Sequence, residues 1–87
     1  MKVMGIVRLE HYAEAAPSDA GAVAALLAEL RASVWRCWED VARQYPSARV
    51  DGRFLEVDVT GRCRVRMLVR FEARCVLILS VVPGEGA

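Results

Sequence analysis

Residues 54–71 read FLEVDVTGRCRVRMLVRF, and the alternation within them decides the fold. Arg62, Arg64, Arg66 and Arg70 fall on every second position, Leu68 being the exception, while Cys63, Val65, Met67, Val69 and Phe71 occupy the positions between. A period of two is that of a β-strand lying over an apolar core. Ahead of it, Leu55, Val57 and Val59 alternate with Glu56 and Asp58, which makes a second strand. Thr60, Gly61 and Arg62 then read as a hairpin loop in which Gly61 supplies any positive φ. That loop sets Asp58 opposite Arg64, Glu56 opposite Arg66, Val57 opposite Val65 and Leu55 opposite Met67. One face of the hairpin is apolar, and the other carries guanidiniums that must meet water, carboxylates or a polyanion. Two of them gain a cross-strand acid in this register, whereas Arg62 and Arg70 have no obvious one.

Working outward, VLILSVV at 76–82 is a third apolar run, and three sequential strands form an antiparallel meander. With no polar face, that run is expected to be the most buried strand, covered on both sides or near the sheet centre. Upstream, AGAVAALLAELRA at 20–32 is rich in strong helix formers and spaces Val23, Leu26, Leu27 and Leu30 for one face. Pro17, Ser18 and Asp19 break the chain before it and offer a cap. A shorter helix is expected within WRCWEDVARQ at 35–44, with Glu39 and Asp40 early and Arg43 late, stopped by Tyr45-Pro46. Val3, Met4 and Ile6 suggest a short first strand, followed by a helical stretch to about Ala16 with Leu9, Tyr12 and Ala13 on one side. Helices first and sheet later make an α+β domain over residues 1–87, with a Gly-rich end at 83–87 expected to fray.

Eighty-seven residues support a modest core and no large internal cavity, so chemistry is expected at the surface. The formal net charge is only +1, but residues 1–48 carry five Lys or Arg against six acids, net −1, and residues 49–87 carry seven against five, net +2. Positive charge gathers on the expected sheet. Three cysteines without C-x-x-C spacing and a single histidine fit neither a disulfide framework nor a zinc site, so reduced thiols, no metal and no cofactor are expected. Arg8 and Glu10 interrupt the apolar start too early for a secretory or membrane segment, which predicts a cytoplasmic protein without membrane attachment.

Trp35, Trp38, Asp40, Tyr45-Pro46-Ser47-Ala48, Val50 and Gly52, followed by three alternating strands, form the pattern W-x-x-W-x-D-V-x-x-x-Y-P-S-A and its continuation. In this the chain resembles the HigB-type toxins of the RelE/ParE superfamily over nearly its whole length. The resemblance implies a RelE-like fold, helices on a three- to four-stranded antiparallel sheet, and a small cytoplasmic toxin that cuts messenger RNA on the ribosome without metal. It also implies a helix-turn-helix antitoxin as partner. Arg64-Val65 is similar to the family's Arg-Leu pair on the second strand of the meander. By resemblance Arg64 then holds the scissile phosphate, with Arg62, Arg66 and Arg70 widening the RNA contact, and Arg36, placed on the short helix, is a further RNA-contact candidate that extends the basic surface. An arginine fork suits that role because it binds two phosphate oxygens and stays protonated.

The departures from the family pattern fall on chemical residues. Gly61-Arg62-Cys63 stands where the family has an Asn-Lys-Tyr-like segment, and Gly5-Ile6 replaces a Ser-Arg. Leu79, Pro83-Gly84 and Ala87 occupy the places of a late arginine, a Thr-His and a terminal aromatic. Three explanations fit these departures: a toxin with another residue set, a fold relative without nuclease activity, and a toxin with an altered C-terminus. The functional readings that compete with an RNA-binding toxin are a non-enzymatic module whose arginine face docks an acidic protein and a plainly solvated face. His11 is read as a surface residue rather than a catalyst, and Trp35 and Trp38 as packing between short helix and sheet rather than base platforms. Arg43 is read as serving the helix end or pairing with Glu39.

Overall fold

A computed structural model describes residues 1–83. Along them run β1 (Lys2–Met4), α1 (Ile6–Ala15), a 3-10 turn (Pro17–Asp19), α2 (Ala20–Ala32), α3 (Trp38–Gln44), β2 (Arg49–Asp51), β3 (Phe54–Thr60), β4 (Cys63–Arg70) and β5 (Cys75–Pro83). The class is α+β, with three helices against a five-stranded mixed sheet of order β1-β5-β4-β3-β2. No helix among the described residues is long and apolar enough to cross a membrane.

The core forms where the two periods meet. Val3, Leu55, Val57, Cys63, Val65, Met67, Val69, Val76 and Ile78 point inward from the strands and pack with Leu9, Val23, Leu26, Leu30, Trp35 and Val41 from the helical layer. Central β4 is the most completely covered on this inner face, its four inward side chains being at most 2% exposed. The expected hairpin register holds at Asp58–Arg64, Val57–Val65, Glu56–Arg66 and Leu55–Met67.

Several expectations need correction. The sheet is not a three- to four-stranded antiparallel one. Arg49–Asp51 adds an edge strand too short to display a period of two, and β1 pairs parallel with β5, Val3 opposite Val76. β5 takes its direction from the meander and β1 from its exit into α1, so neither strand alone encodes their relation. VLILSVV is one strand in from the edge and covered on one face only; Leu77 and Leu79 remain half-buried. The hairpin loop is two residues, Gly61 and Arg62, with Thr60 already paired to Cys63 and the extra residue absorbed as a bulge between Asp58 and Thr60. Gly61 consequently has no positive φ. Ile6 opens α1 rather than extending β1, and α3 begins at Trp38, because the Asp40 carboxylate accepts the Arg36 N–H at 2.9 Å and holds the preceding residues out of the helix. Pro83 belongs to β5, and the expected frayed end at 84–87 lies outside the described residues.

The turn from β1 into α1 depends on Gly5. Its φ is +78°, and a Cβ there would lie 2.6 Å from the Ile78 carbonyl oxygen, in the strand beside β1. Gly5→Ala combines left-handed backbone strain with a backbone clash and is expected to destabilise the protein by about 2 kcal/mol or more. Urea unfolding measures this, and an unchanged midpoint would show that β1 and α1 do not lock onto β5.

Candidate nucleic-acid interface

All helices lie over the inner face, so the outer face of the sheet meets solvent. Pairing sorts its side chains into four cross-strand rows. Val82, Arg64 and Asp58 form the first; Ser80, Arg66, Glu56 and Arg49 the second. Met4, Leu77, Leu68, Phe54 and Asp51 form an apolar third row ending in one acid, and Lys2, Cys75 and Arg70 a fourth. An apolar band thus runs between rows that carry cations. Arg64 and Arg66 are two residues apart on β4, about 6–7 Å.

The stripe arginines do not stand bare. Arg64 Nε donates to Asp58 Oδ1 at 3.1 Å, as the register predicts, and its side chain is only 17% exposed. Arg66 lies instead over the Phe54 ring, 4.7 Å from its centroid, while Glu56 faces Arg49 at 3.9 Å. The expected Arg66–Glu56 pairing is therefore replaced by a cation–π contact. Arg70, expected to lack an acid, donates from Nε to Glu72 Oε1 at 3.0 Å. Glu72 is held below the usual carboxylate range by its own backbone N–H first, then by Arg70, with Arg53 adding to the field.

Arg62 leaves the stripe altogether. Its Nη2 donates at 3.2 Å to Oδ1 of Asp19, a carboxylate 3% exposed at the end of the 3-10 turn, 43 residues away. Asp19 makes no side-chain cap to α2, contrary to expectation, because its other oxygen accepts the Tyr12 hydroxyl at 2.6 Å. That hydrogen bond, then burial and the neighbouring Cys63, push the phenol above its ordinary range. Burial likewise raises the Cys63 thiol, which suits a packed, unreactive sulfur. This cluster was not legible in the sequence: nothing local ties Asp19 to a hairpin loop so far along the chain.

Arg36 is not brought to the sheet face either. It lies before α3 and lines a groove with Trp35, Phe71 and Arg74 beside the β4–β5 turn. His11 lines a separate depression with Arg8, Tyr12, Ser80 and Val81, which reaches the second outer row at Ser80, the partner of Arg66. Trp35 and Trp38 pack as expected: Trp35 is buried and Trp38 meets Phe71 edge-on at 4.9 Å. Arg43 pairs with Asp40 at 3.3 Å rather than with Glu39. Phe54 is the interface residue that sequence reading passed over; once Leu68 lies opposite it, Arg66 is a diagonal neighbour within reach.

The residues that carried the family resemblance have architectural places. Trp35 Nε1 donates to Gln44 Oε1 at 3.0 Å and its ring meets Tyr45 edge-on at 6.1 Å. Tyr45 in turn donates its hydroxyl to Glu29 at 2.8 Å, which ties α3 to α2, and its carbonyl accepts the Ala48 N–H at 3.1 Å across the Pro46-Ser47 turn. No protein-family model matches the chain, and no curated protein matches it in sequence.

Burial, then the Glu29 hydrogen bond, pushes Tyr45 up to about 12, and Tyr12 is also raised, so the folded protein keeps phenol protons that the unfolded chain releases near pH 10. The native state binds more protons in that interval, hence stability is expected to fall as pH rises from about 10 toward 12. Urea midpoints across this range measure the slope, and Tyr45→Phe should flatten it. An equal slope in the variant would remove Tyr45 from the linkage.

Proposed function

We propose that the outer sheet face binds RNA and that the protein is a HigB-like toxin of RelE-type fold, acting on messenger RNA at the ribosome and restrained by a helix-turn-helix antitoxin. The observation that carries this reading is the neighbouring Arg64 and Arg66 on the central strand, with Phe54 beneath Arg66. Asp58 is more than half exposed, so water and salt weaken its hold on Arg64, and a phosphate that accepts two hydrogen bonds from one guanidinium competes with it. Phe54 and Leu68 supply an apolar platform against which a base can lie while Arg66 and Arg70 meet the backbone on either side.

Cutting RNA without metal requires alignment of the ribose 2′-hydroxyl with its phosphate, stabilisation of phosphate charge and a proton donor to the leaving oxygen. Arg64 serves the second requirement. The rows around it hold Asp58, Glu56, Ser80 and Arg66 and no imidazole of their own; His11 lines a depression that meets these rows only at Ser80. That placement favours a second reading, in which the face binds and does not cut. Absence of a general acid costs about 10²–10⁴-fold in rate, so ribosomal alignment would have to supply most of any cleavage.

Two measurements test these readings. Binding of a single-stranded RNA oligonucleotide should weaken steeply with salt, and Arg66→Ala or Arg64→Ala should each lower the slope by about 1. A shallow, unaltered slope would remove the sheet face as the RNA site. In a translating extract, mapped 3′ ends that disappear with a folded Arg64→Ala variant would establish the nuclease. Absence of cuts at high protein concentration, with binding retained, would establish the non-catalytic reading.

A further inference from the structure

Between α2 and α3 the chain runs through Ser33–Cys37, with Ser33 and Cys37 both in extended backbone. Extended geometry alternates side chains, and Trp35 goes inward while Val34 and Arg36 stand outward. Val34 is 76% exposed, the most exposed of the large apolar side chains. Facing this segment is the β4–β5 turn, closed by the Arg74 N–H donating to the Phe71 carbonyl at 3.1 Å. An open groove of about 760 Å³ lies between them, lined by Val34, Trp35, Arg36, Phe71, Glu72 and Arg74, with Met1 and Ser33 at its margin.

Two features of this groove are unexplained by folding. Neither the Arg36 nor the Arg74 guanidinium has an ion pair or hydrogen bond among the described residues, while the lone acid of the wall, Glu72, is already engaged by Arg70. Arg74 also adopts φ +53°, where glycine would be unstrained; an ordinary residue there costs about 1 kcal/mol or more. The turn nevertheless presents an arginine.

We propose that this groove receives an extended peptide segment from a partner protein, with an aliphatic side chain flanked by carboxylates. The aliphatic group covers Val34 and the edge of Phe71, and the carboxylates meet Arg36 and Arg74 as charge-assisted forks. Charge complementarity sets the sign of the ligand. The aliphatic wall favours a peptide over RNA, because Val34 offers a base neither a stacking face nor a hydrogen bond. The site is separate from the sheet face and does not rest on the RNA reading.

The test is selection from a displayed library of seven-residue peptides with a fixed central leucine and randomised flanks, against the full chain. Enrichment of Asp or Glu on both sides of the leucine is expected. A synthetic peptide of the selected sequence should shift tryptophan emission saturably, since Trp35 lines the groove. Arg36→Gln and Arg74→Gly should each weaken its binding about tenfold or more, while Arg8→Gln leaves it unchanged. Glycine suits the Arg74 backbone, so that variant stays folded and a lost interaction is not a lost fold. Selection without acidic enrichment, or equal binding by both variants, would overturn the proposal. So would tryptophan shifts caused by an RNA oligonucleotide and not by peptide, or self-association abolished by the same substitutions, which would assign the groove to a second copy.

Discussion

Every helix of this protein rests on the inner face of β4 and its neighbours, and that face exists because Cys63, Val65, Met67 and Val69 alternate with polar residues. The same pleat that buries those four side chains obliges Arg64, Arg66 and Arg70 to leave on the opposite side. Apolar burial of this kind contributes roughly 1.5–3 kcal/mol for a fully covered valine or methionine, well above any individual ion pair on the outer face. The arginine face is therefore a consequence of the core as much as a device of its own. A one-residue slip of β4 would put guanidiniums beneath the helices, which fixes the register firmly.

Asp19 supplies a second, polar constraint. A carboxylate that is nearly inaccessible is tolerated only with partners, and it has two, the Tyr12 hydroxyl from α1 and the Arg62 guanidinium from the β3–β4 loop. Through them the hairpin end is tied to the helical layer. The connection removes Arg62 from the outer face and leaves the cationic stripe shorter than its spacing suggests. At the other end of the helical layer, Trp35, Gln44, Tyr45 and Glu29 form the corresponding polar and aromatic tie between α2 and α3.

The outer face is consequently neither a bare cationic track nor a neutral surface. Arg64 and Arg70 are held by carboxylates, Arg66 by an aromatic ring, and an apolar row lies among them. Such weak exposed partners keep guanidiniums oriented while leaving the exchange for a stronger anion open. The groove at the β4–β5 turn has the opposite character: among the described residues its two guanidiniums have no acid, and Val34 on its wall is exposed.

The sequence by itself determined what is periodic and local. The inner and outer residues of the β3–β4 hairpin, four of its cross-strand pairs, the span of α2 and the α+β order follow from alternation, helix propensity and turn residues. Tyr45, Pro46 and Ala48 likewise marked a structural corner, although nothing in them discloses the Gln44 and Glu29 partners. Only the tertiary structure decided the parallel docking of β1 on β5, the single covered face of the sheet, the diversion of Arg62 to Asp19 and the convergence of Arg36 with Arg74. Each of these joins residues far apart in the chain, and such pairings are selected by the summed burial and hydrogen bonding of the assembled layers, which leaves no local period to read.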